Sequence, residues 1–363
     1  MIALAGGGTA GHITPLVAVW EAIKRIDPTL EGLFCGSKGG MEEKFAQKLG
    51  LPFYGVKVQG IKRSFNIRNI AAIFQALNGA RIMKKAFTEQ PIKVLFTSGG
   101  YAAFPALWAS RWSNIPYLIH ESNAYPGLVT RIFASHAKYL FVGYTRASKS
   151  LKLKVSPILY TGNPSFYHPL TENPQEARKS LRIDPDYPLL LVIGGSQGSL
   201  TFNQLIKEAW TKILDQGWSI IWQTGKKWHS EFSPAEANRS RLWCVSFLEP
   251  PEIFLAFQSA TVALTRCGAM TMADLSAAGL PAIMVPYPYA SEGHQSINAQ
   301  AIKEAGGGII IPESQLTVPK LLETLEQFKS GTIREQMVQA MKSLYNPSCA
   351  ETIAHKIYEI IQC

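Results

Sequence analysis

No two of the five cysteines, Cys35, Cys244, Cys267, Cys349 and Cys363, are spaced C-x-x-C, and their number is odd. This argues against a disulfide scaffold and a thiolate zinc site, and for a reducing compartment. No apolar run reaches the ~18 residues a membrane-spanning helix needs. The start, Met1-Ile2-Ala3-Leu4-Ala5, lacks the basic stretch of a secretory signal and runs straight into glycines, so it reads as a first strand. Low-complexity tracts and short-period repeats are missing. Charged residues are few, 17% against 47% apolar, which excludes a disordered chain. Acids are the scarcer charge: 26 Asp and Glu against 36 Lys and Arg leave a formal net charge of +10. Such a balance favours anionic partners, whether nucleic acid, diphosphates or an anionic membrane surface. Recognition motifs and a dense basic–aromatic stripe are lacking, so nucleic acid is not expected. The expected location is the cytosol or the cytosolic face of a membrane.

What is present is an alternation of short apolar runs and helical stretches. Runs at 31–35, 93–97, 116–120 and 139–142 alternate with amphipathic segments, the pattern of a mostly parallel sheet covered on both faces. The pattern restarts after residue 160. There Leu189–Ile193 enters Gly194-Gly195-Ser196-Gln197-Gly198 and a helix with Phe202, Leu205, Ile206, Ala209 and Trp210 on one face. The chain opens the same way, with strand 2–5, Gly6-Gly7-Gly8-Thr9-Ala10-Gly11, and a helix striped with Leu16, Val19, Trp20 and Ile23. Thr14 is expected to cap that helix, with Pro15 in its first position. At 363 residues the chain has room for two domains. They are placed at 1–162 and 163–345 with a hinge near Gly162-Asn163-Pro164, and an amphipathic helix at 346–363 (Ile353, Ile357, Ile360, Ile361) is expected to return to the first.

Three glycine-rich turns, at 6–11, 98–100 and 194–198, each follow a strand. Glycine lets backbone amides approach a phosphate, and the next helix offers its positive end. A tight turn alone would look the same, but two such turns opening two Rossmann-like halves favour a nucleotide or diphosphate. The spacing G-x-G-x-x-G is met at 6–11, yet no acid is found where the second strand ends near Cys35-Gly36, which disfavours NAD. His12, after the first turn, is of the type that takes a proton from a sugar hydroxyl near neutral pH. His120-Glu121-Ser122-Asn123 ends another strand; His120 and Glu121 read as holding each other and a neighbouring loop, while Asn123 suits a sugar. In the second half, Thr265-Arg266-Cys267-Gly268-Ala269-Met270-Thr271 leads into a helix with Asp274 one turn in, ending at Gly279 and Pro281. Its first amides suit a diphosphate and Asp274 a ribose. The polar stretch Ser291-Glu292-Gly293-His294-Gln295-Ser296-Ile297-Asn298 carries amides suited to sugar hydroxyls. Asp184-Pro185-Asp186 has D-x-D spacing but precedes a strand and contains proline, so it reads as a turn; no other carboxylate cluster suggests a metal. Segment 61–87 sets Ile70, Ile73, Phe74, Leu77, Ile82 and Met83 beside Arg81, Lys84 and Lys85, a pattern able to dock at an anionic bilayer and equally that of an ordinary amphipathic helix.

Taken together, Gly6 to His12 with Pro15, Ser98-Gly99-Gly100-Tyr101, His120-Glu121-Ser122-Asn123, Gly162-Asn163-Pro164, Gly194-Gly195-Ser196-Gln197-Gly198 and Arg266 to Pro281 resemble, in order and over essentially the whole chain, the lipid II-forming N-acetylglucosaminyltransferases, the MurG family. The resemblance implies an α/β GT-B fold of two Rossmann-like, doubly wound domains facing across a deep cleft. It implies transfer of GlcNAc from UDP-GlcNAc to the C4 hydroxyl of MurNAc in undecaprenyl-diphosphate-MurNAc-pentapeptide (lipid I), with inversion, no metal and no cofactor. The N-terminal domain would meet lipid I and the cytoplasmic face of the inner membrane as a peripheral protein; the C-terminal domain would hold the nucleotide. His12 is the implied catalytic base. Donor contacts carry over to Thr9, Ala10, Gly11, Asn123, Ser196, Leu248, Ala269, Met270, Thr271, Met272, Ala273, Asp274 and Gln295. Two positions depart from the family: Asp274 stands where Glu is usual, and Phe166 where an arginine is frequent, with His168 nearby as another source of charge. Competing assignments are a GT-B enzyme for another acceptor, a UDP-GlcNAc epimerase, a non-catalytic membrane-associated binder and, last, a dehydrogenase.

Overall fold

The computed structural model describes residues 1–60, 67–151, 157–170, 173–195, 197–235 and 239–362. The chain divides into two compact units, Met1–Ser165 with Asn346–Cys363, and Phe166–Tyr345.

The first unit alternates β1 (Ile2–Ala5), α1 (Ala10–Ile26), β2 (Gly32–Ser37), α2 (Met41–Lys48), β3 (Phe53–Val56), α3 (Ile67–Glu89), β4 (Val94–Thr97), α4 (Phe104–Trp112), β5 (Tyr117–Glu121), α5 (Leu128–Phe133), β6 (Tyr139–Val142), α6 (Thr145–Lys149) and β7 (Ile158–Tyr160). All its strands are parallel, in the order β3-β2-β1-β4-β5-β6-β7. β1, β4 and β5 are buried along their whole length, which is why their sequences are continuous apolar runs. Leu16, Val19, Trp20 and Ile23 of α1 are all buried.

Helix α1 begins earlier than expected. Thr9 is its N-cap and Pro15 lies inside it. Pro15 withholds the amide that the Gly11 carbonyl would accept, and α1 continues through it.

The second unit runs α7 (Pro174–Leu181), β8 (Leu189–Ile193), α8 (Leu200–Asp215), β9 (Ser219–Gln223), α9 (His229–Phe232), β10 (Leu242–Val245), α10 (Glu252–Ser259), β11 (Val262–Thr265), α11 (Ala269–Ala278), β12 (Ala282–Met284), α12 (His294–Glu304), β13 (Gly308–Ile310), α13 (Val318–Gln327) and α14 (Gly331–Ser343). Its parallel sheet has the order β10-β9-β8-β11-β12-β13. α11 stops at Gly279, in the left-handed conformation that glycine adopts without strain.

The last helix, α15 (Cys349–Gln362), belongs to the first unit, where it packs on α1 and β4. Ile353, Ile357 and Ile361 are buried, Arg25 pairs with Glu351 at 2.6 Å, and Lys93 Nζ donates to the Ile361 carbonyl at 3.0 Å. In both sheets the order reverses next to the first strand of the unit, with β1 flanked by β2 and β4, and β8 by β9 and β11. The turns leaving those strands are where open α/β sheets hold ligands.

Candidate functional site

The first turn is built around His12. Gly6 has no room for a side chain, since a Cβ there would meet the His12 carbonyl at 2.8 Å and the Leu16 side chain at 2.9 Å. Gly8 sits at φ +84, a conformation that favours glycine. Thr9 makes no side-chain cap bond, so the amides of Ala10 and Gly11 at the start of α1 carry no cap from it. His12 lies in the first turn of the helix and is half-buried. Its Nδ1 is 3.0 Å from the Ser98 carbonyl. A carbonyl only accepts, so Nδ1 carries the proton and, in the neutral ring, Nε2 keeps the lone pair. Ser98 Oγ also donates to the His12 carbonyl, so one residue grips ring and main chain. Gly100, at φ +78, seats the imidazole: a Cβ there would lie 2.9 Å from His12 Cδ2.

An acid does serve this turn, though not from the end of β2 and not as a ribose-binding group. Glu42, in the first turn of α2, reaches back and accepts from the Gly8 amide at 2.7 Å. It is only 1% exposed, so it does not face outward as a ribose-binding acid would. The sequence signal was Gly39-Gly40 ahead of a helix-opening acid, two residues beyond the strand.

At the end of β5, His120 and Glu121 do not hold each other, contrary to the sequence reading. Neighbours on a strand point to opposite faces. Glu121 organises its own loop: Oε1 accepts from the Asn123 amide at 3.0 Å and from Asn123 Nδ2 at 3.1 Å, Oε2 from the Gly127 amide at 2.9 Å and Thr130 Oγ1 at 2.7 Å. Asn123 is thus anchored through both of its nitrogens. His120 is fully buried; its Nε2 donates to the Gly162 carbonyl at 3.1 Å, and Ser122 Oγ lies 3.2 Å from Nδ1. Burial pushes the imidazole down to about 4, against the opposing hydrogen bond to Gly162 and the charge of Glu121, so it is neutral at pH 7. The same carbonyl accepts from Cys349 Sγ at 3.2 Å, and Asn346 Nδ2 donates to the Thr161 carbonyl at 2.9 Å. Burial raises the Cys349 thiol to about 12, which keeps it protonated as a donor. His120 therefore belongs to the node where the chain leaves and re-enters this unit.

In the second unit Arg266 follows β11. Its guanidinium is nearly buried between the rings of Phe202 (4.6 Å) and Tyr287 (5.3 Å). It donates to Ser199 Oγ at 3.0 Å and the Val285 carbonyl at 3.2 Å, and pairs with Glu313. Ser199 caps α8 through the Phe202 amide at 3.4 Å, whereas Gly268 gives α11 no side-chain cap. Among the described residues the amides of Ala269, Met270 and Thr271 have no intrahelical partner and no side-chain cap from Gly268, and the helix dipole makes that end attractive to an anion. Met272 offers neither its amide, accepted by the Gly268 carbonyl at 3.0 Å, nor its fully buried side chain. Ala269, Met270 and Ala273 are likewise buried, while Thr271 and Asp274 are half-buried.

Gln295 opens α12 with its amide oxygen accepting from the Cys267 amide at 3.2 Å and the Tyr287 amide at 2.9 Å. Asn298 is fully buried and donates to the Cys267 carbonyl at 3.1 Å, so it serves the frame rather than a sugar. The Leu248 amide is taken by Gln223 Oε1 at 2.9 Å, while Gln223 Nε2 donates to the Gly195 carbonyl at 3.3 Å. Gln223, a polar residue closing β9 after the apolar run Ile220-Ile221-Trp222, is the connector that sequence reasoning missed. Ser196 lies outside the described residues. Phe166 is half-buried, and the ring of His168 packs on Phe254 at 4.9 Å. Asp184 Oδ1 accepts from the Asp186 amide at 3.0 Å, an Asx turn. Among the described residues no group of three or more His, Cys, Asp or Glu side chains is placed to hold a metal ion.

Comparison with known proteins completes the picture. The glycosyltransferase family 28 N-terminal domain matches residues 2–142, and the family 28 C-terminal domain residues 189–353. A protein of Carboxydothermus hydrogenoformans named "UDP-N-acetylglucosamine--N-acetylmuramyl-(pentapeptide) pyrophosphoryl-undecaprenol N-acetylglucosamine transferase" is 33% identical over 333 residues, 89% of this chain and 87% of that one. The protein of the same name from Acetivibrio thermocellus is 30% identical over 366 residues, covering 99% and 97%. The crystal structure of Acinetobacter baumannii MurG covers 99% of both chains with a TM-score of 0.74 at 22% identity, a likeness of fold. Two parallel-sheet domains of GT-B type, with Gly–His and Arg–Gly turns at the sheet edges, therefore belong to an enzyme, and the chain is a member of glycosyltransferase family 28, in the family of the pyrophosphoryl-undecaprenol N-acetylglucosamine transferases.

Proposed function

We propose that this chain transfers GlcNAc from UDP-GlcNAc to the C4 hydroxyl of the MurNAc in lipid I, giving lipid II for peptidoglycan synthesis. The single observation that carries the chemistry is the His12–Ser98 contact, 3.0 Å from Nδ1 to a carbonyl. It leaves Nε2 as the basic nitrogen. In the proposed reaction Nε2 takes the proton of the acceptor hydroxyl as its oxygen bonds to the anomeric carbon. The bond from that carbon to UDP breaks from the opposite face, and configuration inverts. Negative charge then grows on the departing diphosphate, and the bare amides of Ala269, Met270 and Thr271 are the groups proposed to stabilise it without a metal ion.

In the donor assignment, Asp274 takes the ribose hydroxyls, Gln295 uses its amide nitrogen on the sugar, and Leu248 has only its main-chain carbonyl to give, its amide being spent on Gln223. Thr9, Ala10, Gly11, Asn123, Ser196 and Ala273 complete the proposed set; Met272, helix interior with no group to spare, is its weakest member. We assign the nucleotide to the second unit, and lipid I and the membrane to the first. Supporting the membrane assignment, α3 exposes Ile70, Ile73, Phe74 and Ile82, with Phe74 68% exposed, beside exposed Arg81, Lys84 and Lys85. Residues 61–66 of that segment lie outside the described residues. No helix of the described residues is long and apolar enough to cross a membrane, and docking is proposed at the anionic cytoplasmic face.

UDP release from UDP-GlcNAc, measured with and without a lipid I analogue and with EDTA present, tests this. Release that requires lipid I and survives EDTA is expected. EDTA sensitivity would overturn the metal-free step, and conversion of UDP-GlcNAc with no acceptor would identify an epimerase.

A further inference from the structure

We propose that Glu42 is a positioning residue for the transfer, its carboxylate filling the first glycine turn from within the protein and so fixing where Thr9 and His12 stand. This rests on the assignment of His12 as the base.

The carboxylate is caged by glycines. A Cβ on Gly7 or Gly40 would collide with the Glu42 carboxyl group, and one on Gly36 would lie 2.9 Å from its Cβ and Cγ. Oε1 accepts from the Gly8 amide at 2.7 Å, while Oε2 is shielded from solvent with no hydrogen-bond partner among the described residues. An unsatisfied buried carboxylate oxygen costs stability that an apolar side chain of the same size would not. What the glutamate supplies in return is one charge-assisted hydrogen bond to the centre of the turn. The Tyr101 ring closes the other side: a Cβ on Gly8 would strike it, and burial together with the Glu42 charge raises its phenol, so it faces the turn protonated.

Two consequences follow for chemistry. The Gly8 amide points inward and is not offered to a substrate phosphate. The internal negative charge also repels a phosphate from Gly8, which directs it to the uncapped start of α1, at Ala10 and Gly11 beside Thr9. In this fold the first glycine-rich turn is therefore an anion nest that carries its own anion, and its task is to present the helix end and His12 rather than to wrap a diphosphate.

Three variants test this: Glu42→Ala, Glu42→Gln and Gly40→Ala. The Gly40 backbone, at φ −79, is open to alanine; the added Cβ would collide with the Glu42 carboxyl group and would also meet the Ser37 carbonyl at 2.9 Å, so this change supports Glu42→Ala and is read only where the two variants agree. For each, kcat with a lipid I analogue, the KM for UDP-GlcNAc, the folded fraction by circular dichroism, and hydrogen exchange of the peptide covering residues 5–11 are measured. Displacing a base by about an ångström costs about 10²-fold in rate, so Glu42→Ala and Gly40→Ala are each expected to lower kcat about that much with the donor KM within about threefold, and to speed exchange at Gly8. Glu42→Gln keeps an acceptor for Gly8 and is expected to restore most of the turnover. Wild-type kcat in Glu42→Ala, a loss no larger than the loss of folded protein, or an unchanged Gly8 exchange rate would each overturn the proposal. If the wild-type protein releases no UDP, the catalytic assignment fails, while the exchange measurement still decides whether Glu42 holds the turn.

Discussion

The two sheet edges are furnished with opposite chemistry. Beside β1, β4 and β5 the side chains that organise the turns are imidazoles and carboxylates: His12, Glu42, His120 and Glu121. Beside β8 and β11 the organiser is a guanidinium, Arg266, with neutral amides from Gln223, Gln295 and Asn298. An imidazole changes charge near neutral pH and a guanidinium does not. Under the proposed function the contrast would separate proton transfer, through His12 on the first edge, from the holding of an anion beside the Arg266 turn on the second. The two histidines of the first edge repeat the lesson on a smaller scale. His12 is half-buried with one nitrogen engaged, whereas His120 is fully buried with both engaged.

The largest test of this contrast is His12→Ala. Turnover should fall by about 10²–10⁴-fold, the usual worth of a general base, with UDP-GlcNAc affinity nearly unchanged; turnover that survives would move the base elsewhere. Next is Arg266→Met, which strands Glu313 and takes one of two donors from the Ser199 hydroxyl. It should cost about 3 kcal/mol of stability in urea unfolding, with donor saturation weakened and the pH profile unaltered in shape; a shifted profile would break the division of labour.

His120 gives a pH test. Its folded value is depressed to about 4 from 6.5, so the unfolded chain binds its proton first as the pH falls. Its contribution is fully present above about 6.5 and is lost between there and about 4, on the order of 3 kcal/mol in all. His120→Gln should flatten the dependence of the urea midpoint on pH in that window. A slope equal to wild type would mean that other groups carry it. The smallest effect expected is Asp274→Ala, which should raise the donor KM roughly tenfold, the worth of one hydrogen bond to a charged group, with kcat largely kept; unchanged donor saturation would remove the ribose role.

Much of the fold was legible because fully buried parallel strands write themselves as apolar runs: Leu189–Ile193 and Tyr139–Val142 sit where the pattern put them. Helix beginnings were less so. Thr14-Pro15 carries the usual signals of a start, yet Thr9 is the cap and the helix runs on through Pro15. His12 and the Arg266 turn stood out by type and by their place after a glycine turn or strand. Glu42 did not, being 34 residues from the amide it binds.

The sequence by itself determined the apolar strands at 2–5, 93–97, 116–120, 139–142 and 189–193, that two Rossmann-like halves follow one another, and which turns carry glycine, because periodicity and missing side chains are local properties. Only the tertiary structure decided how polar groups are spent: that Glu42 fills the first turn, that His120 and Glu121 serve separate loops, and that α11 rather than α8 has a bare end. Hydrogen-bond partners are fixed by which distant backbone atoms the packing brings within 3 Å, and no spacing along the chain encodes that.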